Sequence, residues 1–299
     1  MLALIMDVTL IVNPYASEVT QERVHAVEQE LSRGAQLTTL LTERHGHGVE
    51  LAAAAVDADA LVVFSGDGGF NEVLNGLAAD VPVGLLPGGR TSVLPRALGL
   101  PRDPVQAARQ LAVALEEGRS RTISLGRVNG RRFAFAAGIG FDAELIRRVD
   151  RLGRRGDGRR PGDLAFIAEA VALVGGRFGR FEPALDIEGF GRAAFALVAK
   201  TDPYTYAGSR PIRVAREARF ELGLDLVAPI HVTARTLPQL LRHVLGGGGR
   251  PDDVLYGHDL DRVEVRCDRP SPLHVDGEDL GDVTEAVFEA ERSAVRVLI

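Results

Sequence analysis

Through about its first 120 residues the chain switches repeatedly between two hydrophobic periods, and that alternation restricts its fold more than any other feature. Short runs at 8–14 (VTLIVNP), 36–42 (QLTTLLT), 60–64 (ALVVF) and 81–87 (VPVGLLP) read as strands. Segments of helical spacing lie between them. They are 20–33, with Val24, Val27 and Leu31 in step; 48–56; 70–78, with Phe70, Val73, Leu74 and Leu77 on one face; and 103–118. In the last, Asp103 reads as the N-cap and Pro104 as the first helical residue. Strands that are apolar on both faces must be covered on both, so the alternation predicts a three-layer α/β domain with a mostly parallel sheet.

Beyond residue 121 the pattern changes. The stretch 122–141 alternates around Asn129-Gly130, a hairpin signal. Residues 183–200, 224–233 and 261–280 read as further strands, the last turning at Asp276-Gly277. Helical stretches are expected at 142–150, 163–175 and 236–247, and a loop at Gly246–Gly249. The expected division is therefore an α/β domain over 1–121 and a β-rich, antiparallel sandwich domain over 122–299, whose last residues can pack back on the first.

Composition narrows the function classes. The 299 residues are 45% hydrophobic and 25% charged, which fits a globular chain and excludes disorder. A net charge of −6 implies no general attraction to nucleic acid. The single Cys267 cannot form an internal disulfide, consistent with a cytoplasmic location. No Cys/His spacing suggests structural zinc. The start reads as a first strand, not a signal peptide, and no apolar run reaches membrane-spanning length. Lys200 is the only lysine, so no Walker-type G-K-[ST] loop exists.

Three loops follow strands in the first half: 13–17 (NPYAS), 65–72 (SGDGGFNE) and 87–92 (PGGRTS). In an open parallel sheet, loops at the carboxyl ends of strands line one crevice. Gly66, Gly68 and Gly69 leave backbone N–H groups unobstructed before a helix expected to start at Phe70, where the dipole favours an anion. Gly88 and Gly89 supply a second wall. Asp67 inside this cradle repels phosphate unless a divalent cation bridges them; the alternative is a helix cap. Arg90 either forks onto phosphate oxygens or lies solvated. Glu72 and Asn71 either complement the helix dipole or contact a ligand. Asp142 reads as a helix cap ahead of a ligand, and 202–211 as a surface loop. Residues 147–163 hold seven Arg against three Asp, a cluster suited to anionic lipid headgroups or to a solvated loop.

At these residues the sequence resembles the bacterial lipid kinases of the diacylglycerol kinase catalytic-domain family, which also includes sphingosine and ceramide kinases. The family's V-N-P is Val12-Asn13-Pro14, and its T-E-x-x-G-H-A is matched at 42–48 (TERHGHG). Its G-G-D-G-T-x-N-E-V-x-N-G-L is matched at 65–77 (SGDGGFNEVLNGL), and its P-x-G-T-x-N-D-x-A-R-x-L-G loosely at 87–99. The family's N-x-x-G-x-G-F-D-A is echoed at 135–145 and its late D-G-E at 276–278.

The resemblance implies a nucleotide-binding α/β domain and a β-rich lipid domain with the active site in the cleft between them. It implies ATP with Mg²⁺, and transfer of the γ-phosphoryl group to a diacylglycerol-like hydroxyl. Carried over, Asn13, Pro14, Thr42, the stretch Gly66, Asp67, Gly68, Gly69, Asn71 and Glu72, and Gly89, Arg90 and Thr91 contact ATP. Asp67 also holds metal, and Glu278 is the general base. A lipid substrate implies peripheral attachment to the inner membrane face, with Arg147–Arg160 as the docking cluster. Oligomeric state, a homodimer included, is open.

The departures are specific. The family's first signature Gly is Ser65 and its Thr is Gly69; in the next motif its Thr, Asn and Asp become Arg90, Ser92 and Val93. A family D-G-x-L-D loop associated with structural Mg²⁺ becomes 221–225 (ELGLD), where Glu221 stands for the Asp but Leu222 replaces the Gly. Two alternatives therefore stand beside the lipid kinase: a non-catalytic nucleotide- or lipid-binding homologue, and a kinase of a soluble acceptor such as NAD.

Overall fold

The computed structural model describes residues 6–78, 80–153, 180–233, 237–244 and 251–299. The helix expected at 163–175, the loop at Gly246–Gly249 and the arginines at 154–160 lie outside the described residues. The chain divides into two compact units: Met1–Leu125 with Arg292–Ile299, and Gly126–Glu291.

The first unit runs β1 (Met6–Val12), α1 (Gln21–Leu31), β2 (Ala35–Leu41), α2 (His47–Ala54), β3 (Ala60–Ser65), α3 (Asp67–Gly76), β4 (Val83–Pro87), α4 (Val93–Ala97) and α5 (Pro104–Glu116). The strands pair in parallel in the order β2–β1–β3–β4, and Val297 pairs with Val83 beyond β4. Every residue of β3 is buried, as its uninterrupted apolar run requires. Helix α1 packs with α5 and α2 with α3. Local signals set two helix starts. Thr20 accepts the Arg23 N–H at 3.3 Å to open α1, and Asp103 accepts the Gln106 N–H at 2.8 Å ahead of Pro104 to open α5. Helix α3 begins at Asp67, earlier than the expected Phe70, so Gly68 and Gly69 belong to its first turn. Helix α4 was not anticipated.

The second unit is antiparallel. Ala136–Ile139 pairs with Ala196–Ala199 and with Leu273–Val275; Leu224–Pro229 pairs with Ala196–Ala199 and Val254–Leu260; Leu185–Ile187 pairs with Gly191–Ala193 and Val265–Cys267. Strand Arg262–Val275 changes register between Arg266 and Ser271, where Pro270 has no N–H to give the ladder. Asn129 (φ 47°) and Gly130 (φ 89°) form the turn joining Gly126–Val128 to Arg131–Phe133. Asp276 (φ 47°) and Gly277 (φ 80°) form another, joining Val275 to Glu278. The core of this unit holds Phe133 edge-on to Phe288, with ring centroids 6.5 Å apart. Among the described residues, two helices accompany these strands, α6 (Phe141–Gly153) and α7 (Leu237–Val244). The long strand Glu278–Leu298 begins in the second unit, and its end lies in the first. Among the described residues, no helix is long and apolar enough to cross a membrane.

Candidate functional site

In the first unit the carboxyl ends of β1, β2 and β3 and the first two turns of α3 enclose a cavity of about 220 Å³, lined by Asn13, Tyr15, Thr42, Ser65, Gly69 and Glu72 among others. Each wall is placed by backbone. The Asn13 N–H donates to the Phe64 carbonyl at 3.0 Å, and the Thr42 N–H to the Val12 carbonyl at 2.9 Å. Asn13 Oδ1 accepts the Tyr15 N–H at 3.0 Å, which turns the chain after β1 and leaves the Tyr15 ring exposed at the mouth. Pro14 does not line the cavity.

Helix α3 opens onto this floor with no side-chain cap; its N-cap is Gly66. With no side-chain cap on its first turn, its N–H groups and dipole make it an anion site in character. The glycine loops meet backbone to backbone. The Gly88 N–H donates to the Ser65 carbonyl at 2.7 Å, and a Cβ on Gly89 would stand 3.0 Å from Gly66 Cα.

Much of the acidic and amide chemistry around the cradle is committed elsewhere. Asp67 accepts the N–H groups of Val93 (3.1 Å) and Leu94 (3.3 Å), so it caps α4, 26 and 27 residues along the chain. Glu72 accepts the N–H groups of Gly46 (2.9 Å) and Gly48 (3.0 Å) at the start of α2, with His45 Nδ1 at 3.0 Å. It complements a helix dipole, but that of α2, not of its own helix. Asn71 is buried and accepts the Asn75 side-chain amide at 3.1 Å. Arg90 is exposed and Thr91 half-buried; Ser92 takes φ 44° with its hydroxyl turned back on the Gly89 carbonyl at 2.8 Å. Of the expected nucleotide contacts, Asn13, Thr42, Gly69 and Glu72 share the cavity wall; Gly66, Asp67, Gly68 and Gly89 form the adjoining loops.

In the second unit Glu278 is half-buried, and Arg131 Nη2 donates to its carboxylate at 2.7 Å. Asp276, two residues before it, accepts the N–H groups of Ala134, Phe135 and Ala136 at 2.8–3.1 Å and anchors the turn. Asp142 lies in the first turn of α6. Its Oδ2 meets the fully buried His274 Nε2 at 2.7 Å and accepts the Tyr204 hydroxyl at 2.8 Å. Burial, then the Asp142 charge, push the Tyr204 phenol well above its usual range. Tyr204 thus ties down the 202–211 segment read as a surface loop, and neither it nor His274 was singled out by the sequence.

The diacylglycerol kinase catalytic domain model matches residues 7–128. A diacylglycerol kinase of Bacillus subtilis is 34% identical over 143 residues, 46% of each chain, so the match spans less than half of that relative's length. A "probable lipid kinase YegS-like" protein of Pseudomonas aeruginosa is 31% identical over 283 residues, covering 91% of this chain and 87% of the relative. The chain belongs to the diacylglycerol kinase catalytic-domain family. Its fold also follows the crystal structure of a diacylglycerol kinase from Bacillus anthracis, with a TM-score of 0.73 at 16% identity over 98% of this chain and 96% of that one.

The structure shows what meets one of the chain's departures from the family pattern and part of its arginine cluster. In the 221–225 loop, the fully buried Lys200 ammonium donates to the carbonyls of Arg219 (2.9 Å) and Phe220 (3.3 Å). The two carbonyls leading into Glu221 already face a cation of the chain itself. Within the arginine cluster, Arg147 is bound by Asp279 (2.8 Å) and Asp282 (2.6 Å), and Arg148 by Glu144 (2.9 Å). The Asp279 hydrogen bond leads in raising the Arg147 pKa above its ordinary value. Both guanidiniums pair with carboxylates of the chain itself.

Proposed function

We propose that this protein is a lipid kinase that transfers the γ-phosphoryl group of MgATP to the hydroxyl of a diacylglycerol-like lipid. The observation that carries the reading is the uncapped N-terminus of α3 at a cavity walled by Asn13, Thr42, Ser65 and Gly69. A helix start free of its own cap offers backbone donors to phosphate without a lysine. Phosphoryl transfer asks a protein mainly for positioning and charge neutralisation. Ligand pockets commonly run ~300–1,000 Å³, so the cavity takes part of a nucleotide, with the exposed Tyr15 ring at its mouth. Mg²⁺ would neutralise charge on the phosphates, and Asp67, whose carboxylate also caps α4, is the residue that would hold it. Glu278, oriented by Arg131, takes the lipid hydroxyl proton; that role requires its carboxylate within hydrogen-bond reach of the hydroxyl in the productive complex.

Radiolabelled ATP incubated with the protein and vesicles containing diacylglycerol tests this. Label is expected in the organic phase, and Glu278→Gln is expected to cut turnover ~100-fold or more with MgATP affinity and folding intact. Label appearing only in an aqueous acceptor such as NAD would replace the lipid assignment. ATP binding with no transfer to any acceptor would favour a nucleotide-binding homologue without chemistry.

A further inference from the structure

Ser65 and Gly69 depart from the family pattern together, and the structure shows them to be one change. A Cβ built on Gly69 would fall 2.0 Å from Ser65 Oγ and 2.8 Å from Ser65 Cβ. Non-bonded heavy atoms sit ~3.5–4.0 Å apart at best, so the two positions cannot both carry a side chain. The family pattern places a Gly at 65 and a Thr at 69; this chain places a Ser at 65 and a Gly at 69. The hydroxyl has crossed from the first turn of the helix to the end of the strand, into almost the same volume.

That hydroxyl has no employment in the protein. Ser65 is 1% exposed, lines the cavity, and its Oγ lacks a hydrogen-bond partner. A buried hydroxyl without a partner is a net cost to the fold. It sits beside Gly69, in the first turn of α3, whose start has no side-chain cap. A phosphate oxygen is a natural acceptor at such a place.

We propose that Ser65 Oγ donates a hydrogen bond to a phosphate of the bound nucleotide, standing in for the hydroxyl that the family pattern places at position 69, and that Gly69 is required because Ser65 is present. The inference rests on the nucleotide reading of this cavity and assigns the donor within it.

The test is a double-mutant cycle on the full chain, read by MgATP affinity from calorimetry and by thermal unfolding without ligand. Ser65→Ala removes an unsatisfied group, so its Tm is expected to equal or exceed that of the parent. Its MgATP affinity is expected to fall about 10-fold or more, since hydrogen bonds to charged groups are the stronger ones. A merely structural Ser65 would lower both. Gly69→Thr alone is expected to lower Tm sharply. Adding Ser65→Gly to it is expected to restore Tm and to bring MgATP affinity back above that of Ser65→Ala. A folded Ser65→Ala variant binding MgATP within about twofold of the parent would overturn the proposal. So would a double variant no more stable than Gly69→Thr. A parent protein that fails to bind MgATP would overturn the nucleotide reading itself, a separate result.

Discussion

At Gly76 a methyl group would stand 2.2 Å from the Val49 carbonyl oxygen, because α2 lies directly on α3 there. Gly76→Ala must push the helices apart, at a cost of about 1–3 kcal/mol. A clear drop in Tm is expected in a thermal melt; an unchanged Tm would mean the helices are not in that contact. With Glu72 capping α2, this gives the N-E-V-L-N-G stretch a structural job. The sequence distinguished these residues but left open what Glu72 and Asn71 contact. The partner amides of Glu72 are 24 and 26 residues away, in a loop that no local spacing connects to it. Asp67 is the same case: a cap was among its readings, but which helix it caps was decided at a distance of 26 and 27 residues.

Elements with their own punctuation were legible. Asp103-Pro104 opens α5, Thr20 opens α1, and Asn129-Gly130 and Asp276-Gly277 turn their hairpins, because each signal acts within four residues. Helix α4 was not, since a five-residue helix containing Pro95 has little propensity of its own and depends on Asp67 to answer its first amides. The strands flanking Asn129-Gly130 carry a second non-local device. Glu291 binds both Arg132 (2.6 Å) and Arg127 (2.9 Å), and the Arg132 hydrogen bond leads in lowering its pKa below the ordinary 4.5. With the folded value below the unfolded one, unfolded chains bind more protons as pH drops through this window. Stability from this group is therefore complete above about pH 4.5 and lost below it. Glu291→Gln is expected to flatten the acid limb of a denaturation series below that pH and to lower stability at pH 7. An acid limb identical to the parent's would refute the assignment.

For the whole molecule, the buried ammonium of Lys200 is an anchor between segments distant in the chain. It takes the carbonyls of Arg219 and Phe220. Lys200→Met leaves both acceptors without that donor, at about 1–3 kcal/mol for each buried group. The variant is expected to melt clearly below the parent, while EDTA leaves the parent's Tm unchanged. A parent melt that falls in EDTA would instead show a divalent ion to be part of the fold. The sequence noted Lys200 only for its rarity, because nothing in the spacing connects residue 200 to residues 219 and 220.

Hydrophobic period, caps and glycine turns are local signals, so the chain alone determined its parallel α/β first half, its antiparallel second half and the loops at the strand ends. Which amide each carboxylate answers, and which cation meets the 219 and 220 carbonyls, depend on groups brought together from far apart. Only the folded chain puts them within hydrogen-bonding distance.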